Sequence, residues 1–266
     1  MSETLDLSAT QAGAAEPYEL LNQGGRTDLL LLCDHASNQI PPDLAGLGLD
    51  EAALCRHIAL DIGIAEVTRD MARRLDAPAI LSRFSRLLID PNRPLDDPTL
   101  IPQISDDVVI PGNKGLGPAE RDQRLARFFK PYHAAIARHL DDAHAAGHRP
   151  AIVSLHSFTP VMKGKERPWQ IGVLWNEDGR LPLPMIARLR AVGLTVGDNE
   201  PYSGRGGHGY TMHRHADQRG LPNVLIEVRQ DLIDTHHGAA DWALRLSNLL
   251  DDMLSSADLR KRGAAL

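Results

Sequence analysis

LLLLCDHASNQIPP, residues 29–42, is the stretch on which the reading of this 266-residue chain turns. Four leucines and Cys33 form a short apolar run with the length of a buried strand. It stops at Asp34, His35, Ser37 and Asn38, ahead of Pro41 and Pro42. In open α/β sheets ligands bind beyond the carboxyl ends of the strands, so His35 stands where a metal ligand or a general base is useful. A single loop histidine is more often a surface or capping residue, and the functional reading of His35 therefore needs partners elsewhere in the chain.

Downstream segments repeat the pattern. Pro78–Phe84, Ala151–His156, Gln170–Asn176, Leu194–Asn199 and Asn223–Arg229 read as strands. Helical spacing runs through Asp50–Leu75, Pro118–Ala146, Leu183–Val192 and Asp241–Met253. Strands alternating with helices predict an α/β fold, a three-layer α/β/α arrangement around a mixed, largely parallel sheet.

Polar residues inside these apolar elements carry the functional signal. His156 ends the Ala151 strand, so two strand tips bear histidine. Asp61 shares a helical stripe with Leu54, Ile58, Ala65 and Ala72, and Glu227 lies within the strand NVLIEVR. A buried carboxylate costs several kcal/mol, on the order of a lost ion pair, unless it is paired, hydrogen-bonded or metal-bound. The plain alternative for Asp61 is a salt bridge to a nearby arginine. Asp90, Asn92 and Arg93 are held stiffly around Pro91 and Pro94, and a preorganised guanidinium suits a carboxylate ligand; the alternative is that Asp90 and Arg93 pair with each other across a turn.

Leu95–Gly117 lacks a durable period and reads as a candidate lid. Glu200–His215 is glycine-rich and matches neither a P-loop nor a GxGxxG fingerprint. Its His213 and His215 either form a small metal site or are simply exposed. His133, His139, His144 and His148 read as mostly solvated or capping.

Composition narrows the function classes. A net charge of −6 with no basic run argues against nucleic acid and favours a small-molecule partner. No apolar run approaches bilayer length, and the acidic first twenty residues lack the apolar core of an export signal, so a soluble, cytoplasmic protein is expected. Cys33 and Cys55 form no CxxC pair and read as packing residues. The expected organisation is a flexible tail over 1–17, one catalytic domain over 18–256 and a C-terminal end over 257–266; the oligomeric state is left open.

Two histidines, an aspartate and a glutamate are the ingredients of a catalytic zinc site, and the absence of HExxH excludes the common metalloprotease helix. DHASNQIP at 34–41, the Asp61 segment, SRLLIDPNRP at 85–94, SLHSFTP at 154–160, the PYSG and GYT segments and LIEVRQDLI at 225–233 together resemble the N-formylglutamate amidohydrolase family, in its DHASN-type branch. The resemblance runs from about Leu29 to Leu232. It implies a phosphorylase/hydrolase-like fold akin to zinc carboxypeptidases, and a zinc-dependent hydrolase of linear amides active in amino-acid catabolism.

Carried to matching positions, the resemblance implies His35 and His156 as metal ligands and Glu227 as the catalytic base. It implies Asn92 and Arg93 as substrate-binding groups; Arg229, Ser37 and Asn38 are counted with them, and Tyr210 as a mobile oxyanion donor. Zinc carboxypeptidases have a glutamate three residues after the first histidine, where this chain has Asn38; muramoyl-alanine amidases take the carboxylate from a following helix, which fits Asp61, with Glu66 as the fallback. The implied reaction is N-formyl-L-glutamate, or a related N-acyl amino acid, plus water giving formate and L-glutamate. Zinc is the expected metal, and other divalent ions suit the same donors. The alternatives are an amidase or carboxypeptidase acting on another acyl-amino acid or a peptidoglycan fragment, and a non-catalytic metal-binding relative.

Overall fold

Leu29–Cys33 is buried at every residue in a computed structural model that describes residues 16–206 and 209–255. The expected terminal segments fall almost wholly outside the described residues. The central sheet has seven strands: β1 (Tyr18–Leu21), β2 (Leu29–Cys33), β3 (Ala79–Ser82), β4 (Ala151–Phe158), β5 (Ile171–Leu174), β6 (Val196–Asp198) and β7 (Asn223–Arg229). Their spatial order is β1-β3-β2-β4-β7-β5-β6. The β1–β3 and β7–β5 pairs are antiparallel and the rest parallel, so β2, β4 and β7 point the same way at the centre.

Both faces are covered, which is why β2 is apolar throughout and does not alternate with polar residues. Leu29, Leu31 and Cys33 face α1 (Ile64–Leu75), while Leu30 and Leu32 face α2 (Lys130–Ala145) on the other side. The α1 side also holds α3 (Pro182–Ala191) and α5 (His236–Ser255) through Met185, Trp242 and Leu246. The α2 side also holds the short α4 (Tyr210–His215) through Met212. This is the three-layer α/β/α fold expected from the alternation of elements. Along β7, Val224, Ile226 and Val228 join the α1-side core and Leu225 the α2-side core, leaving Glu227 on Leu225's face.

The single helix expected over Asp50–Leu75 is broken. One turn, Glu51–Leu54, is capped by Asp50, whose carboxylate accepts the Ala53 N–H at 2.8 Å. Irregular chain follows until Gly63, which at φ +79° takes the left-handed conformation that starts α1. Asp61 is therefore on the connecting segment. Its backbone N–H donates to the His35 carbonyl at 3.0 Å in place of any helical bond. Side-chain spacing could suggest a helix here, but it carries no record of where the backbone N–H groups are bonded.

Pro118–Ala146 is helical with an interruption, a π turn at Leu125–Phe129 just before Pro131, which has no N–H to donate into the preceding turn. The segment 95–117 carries a hairpin, Ile104–Ser105 against Val108–Val109. Buried Asn113 ties it down by donating to the Leu87 and Pro102 carbonyls at 2.8 and 2.7 Å.

Candidate active site

The carboxyl ends of β2, β4 and β7 deliver the polar groups to one place. His35 lies two residues beyond β2, His156 sits in β4, and Glu227 stands opposite His156 in register on the parallel strand β7. The bond from Asp61 N–H to the His35 carbonyl fixes the connecting segment across this edge. Asp61 Oδ2 then lies 3.3 Å from His35 Nδ1 and 2.8 Å from His156 Nδ1. The candidate ligand atoms of His35, Asp61 and His156 lie within 4.8 Å of one another, and all three residues are buried.

Around the three sits a second ring of charge. His35 Nε2 contacts Asp90 Oδ1 at 2.7 Å, and His156 Nε2 contacts Asp34 Oδ2 at 3.3 Å. Arg86 bridges the acids, donating to Asp90 Oδ2 at 2.8 Å and to Asp61 Oδ1 at 3.3 Å. Asp34 also accepts from the Tyr132 and Thr211 hydroxyls, each at 2.9 Å, so its buried charge is well satisfied. Histidines that give one ring nitrogen to a carboxylate and turn the other toward a common point are built as metal ligands are.

The hydrogen-bond directions fit a bound cation. If both Nε2 atoms donate to carboxylates, both Nδ1 atoms and Asp61 Oδ2 are acceptors converging on one another. A cation must stand between them, either a proton or a metal ion. Without a metal the protons supply it. Burial works against a charged His156, yet its hydrogen bonds to Asp34 and Asp61 carry its pKa up to about 10. Burial likewise opposes the Asp61 charge, but the charges and hydrogen bonds of His35 and His156 hold its pKa well below the usual carboxylate range. A divalent ion in place of those protons satisfies the same three atoms, and two imidazole nitrogens with one carboxylate oxygen form a set that zinc accepts.

Glu227 differs from the other acids. Its Oε2 is buried with no hydrogen-bond partner among the described residues. Burial raises its pKa to about 7; His156 opposes the rise and Asp61 adds to it. A carboxyl poised near neutrality beside a histidine–aspartate cluster has the properties of a proton carrier. The pocket over these groups, about 120 Å³, is lined also by His57, Arg86, Asn92, Arg93 and Tyr202.

The other residues singled out in the sequence divide. Arg93 and Asn92 line this pocket. Asn92 is fixed through its Oδ1, which accepts the Thr211 N–H at 3.0 Å, whereas Arg93 makes no ion pair with a described residue. Asp90 does not pair with the Arg93 side chain, because His35 and Arg86 occupy its oxygens. Ser37 accepts the Gln39 N–H and Asn38 donates to the Leu54 carbonyl, and neither lines the pocket. Arg229 pairs with Asp231 at 2.8 Å. Glu66 accepts from His236 on α5 and lies outside the cluster. Tyr210 packs against Phe129 and His133, and its hydroxyl accepts from Arg214.

Two expectations about histidines need correction. His133 is buried: its Nε2 donates to the Pro91 carbonyl at 3.0 Å and its Nδ1 lies 2.8 Å from His215 Nε2. Burial lowers both, to about 4 for His133 and about 3 for His215, so the two are neutral. His213 and His215 form no joint site, since His215 turns inward and His213 is exposed near Asp217. Asp34, Asp90 and Arg86 complete the outer ring; on sequence grounds Asp34 and Arg86 carry no role, and Asp90 only that of a turn partner for Arg93. Their only signal was adjacency to His35 and to the proline-rigid segment.

Comparison with known proteins places this three-layer α/β chain among the amidohydrolases. More narrowly, the chain belongs to the N-formylglutamate amidohydrolase family, whose family model matches residues 27–234. It is 28% identical over 224 residues to the N-formylglutamate deformylase of Pseudomonas aeruginosa, covering 77% of this chain and 82% of that protein. A solved gene product of Agrobacterium tumefaciens superposes with a TM-score of 0.88 at 37% identity, covering 91% of this chain and 96% of that one. The N-formylglutamate amidohydrolase of Ralstonia eutropha superposes with a TM-score of 0.66 at 21% identity, covering 94% and 100%, and shares the fold. Among the described residues no helix is long and apolar enough to cross a membrane.

Proposed function

We propose that the protein hydrolyses a linear amide with the help of a divalent metal, most plainly zinc, held by His35, Asp61 and His156. The substrate is N-formyl-L-glutamate or a related N-acyl amino acid, and the products for the former are formate and L-glutamate. The observation that carries this reading is the convergence of His35 Nδ1 and His156 Nδ1 on Asp61 Oδ2 beside the unpartnered Glu227 Oε2. When bound, a metal of this kind supplies Lewis acidity to a carbonyl oxygen and lowers the pKa of water.

The chain's own residues account for the rest. Glu227 takes a proton from the attacking water and returns it to the departing amine, since a carboxyl near neutrality can both accept and donate. Arg93, which makes no ion pair with a described residue, grips a substrate carboxylate, with Asn92 held by Thr211 beside it. Asp90 and Asp34 hold the two imidazoles by Nε2 so that Nδ1 faces inward, and Arg86 restrains Asp61 and Asp90. Leu174 and Leu225 supply apolar lining beside these groups.

Formate release from N-formyl-L-glutamate by zinc-loaded protein tests the reading. Release that disappears in Glu227→Gln is expected; a rate no higher than that variant's overturns the deformylase assignment.

A further inference from the structure

Resting on the amidohydrolase reading, and choosing within it a related N-acyl amino acid over N-formyl-L-glutamate itself, we infer that the substrate carries a bulky apolar group, aromatic or extended aliphatic, which enters a chamber beside the metal-site pocket. The chamber has a volume of about 490 Å³ and shares Leu174, Gly209 and Leu225 with the pocket of about 120 Å³ that holds the histidines and Glu227. The two spaces therefore adjoin along these three residues. Leu225 lies two residues before Glu227 on the same face of β7, which sets the chamber wall roughly 7 Å along the strand from the proton carrier. A group attached directly to the reacting amide spans that distance.

Size and chemistry both bear on what fills it. The metal-site pocket by itself is smaller than the roughly 300–1,000 Å³ usual for a small-molecule site, whereas the two spaces together fall inside that range. A formyl group and a glutamate chain would leave most of the chamber to water. Its apolar lining is Leu174, Trp175, Tyr210, Met212 and Leu225, surfaces that reward apolar area, and His213, Asp217, Gln218 and Asn223 line it as well. Met212 adds an adaptable side chain suited to more than one shape. The rim is polar, with Arg205 stacked 4.6 Å over the Trp175 ring and Asn176 exposed beside it. Leu174 and Leu225 are register partners on antiparallel strands, so the wall nearest the metal site is as rigid as the sheet.

The test compares kcat/KM of the zinc-loaded protein on two substrate pairs. N-formyl-L-phenylalanine against N-formyl-L-glutamate places the ring on the amine side, and N-phenylacetyl-L-glutamate against N-acetyl-L-glutamate places it on the acyl side. At least a tenfold advantage for the aromatic member of one pair is expected. That advantage should fall to within about threefold of unity when a rim residue is enlarged to block the chamber, in Asn176→Trp and independently in Gln218→Trp. If N-formyl-L-glutamate is cleaved but neither pair favours the ring, or the rim variants leave the ratio unchanged, the chamber inference is overturned and the amidohydrolase reading stands. If no amide is cleaved, the reading of function fails and binding decides the chamber: N-formyl-L-phenylalanine titrated against Glu227→Gln by tryptophan fluorescence. Binding lost on adding Asn176→Trp upholds the chamber; no binding, or binding unaffected by the rim change, overturns it.

Discussion

Glu227 and His156 face each other in register across the parallel strands β7 and β4, two of the four adjacent like-directed strands at the centre of the sheet. The pairing keeps a buried, unpartnered carboxyl beside a histidine that is tied to two aspartates. It has a measurable consequence in the metal-free protein. Because burial raises the folded pKa of Glu227 from 4.5 to about 7, its contribution to stability is full below pH 4.5 and is lost as pH rises through 7. Glu227→Gln stays neutral, so its thermal stability relative to wild type should improve from pH 5 to pH 8, by at most about 3 kcal/mol. Adding metal favours the carboxylate and should shrink the difference. Melting curves at the two pH values check both statements.

The same substitution should lower formate release by roughly 10²–10⁴-fold, the ordinary worth of a positioned acid–base group. Metal content should be unchanged, because Glu227 is not among the three converging ligand atoms.

Removing a ligand should act the other way. His35→Ala, Asp61→Ala and His156→Ala are each expected to lose most of the bound zinc after dialysis, as read by elemental analysis. Glu66→Ala should keep it, since Glu66 is engaged by His236 on α5. Full retention by Asp61→Ala would remove Asp61 from the ligand set.

Asp90 should matter without touching the metal. Its 2.7 Å contact to His35 Nε2 orients the ring, and Asp90→Asn keeps the shape but removes the charge. Zinc affinity is expected to fall about 10–100-fold in competition with a chelator, at nearly unchanged fold by circular dichroism.

Arg93→Ala should raise KM for carboxylate-bearing substrates by roughly tenfold or more and leave kcat less affected, the pattern of lost ground-state binding. The matching carboxamide substrate should show little difference between the two proteins.

Gly63 has no role in the chemistry and yet limits it. At φ +79°, an added Cβ would lie 2.0 Å from the Ile233 carbonyl oxygen, so the backbone that delivers Asp61 tolerates no side chain there. Gly63→Ala should cost about 2 kcal/mol or more, roughly 5 °C in Tm.

Much of this molecule is written in periodicity. The apolar run Leu29–Cys33, the alternation in NVLIEVR and the spacing of Leu125 to Leu140 are local patterns set by burial on one or both faces, and they determine a three-layer α/β/α fold before any contact is known. The same patterns make His35, His156, Asp61 and Glu227 conspicuous, because a polar group inside an apolar element is costly unless something answers it. Only the tertiary structure decided what does. Asp61 reaches the histidines from irregular chain and not from a helix, since its N–H bonds to a carbonyl 26 residues earlier and Gly63 turns the backbone. Asp34, Asp90 and Arg86 enter through contacts that leave no mark on spacing, and Ser37, Asn38 and Arg229 are drawn off by neighbours. The DHASN loop thus announced a site by its composition, while the direction in which each nitrogen and oxygen points was set by chain segments far apart in sequence.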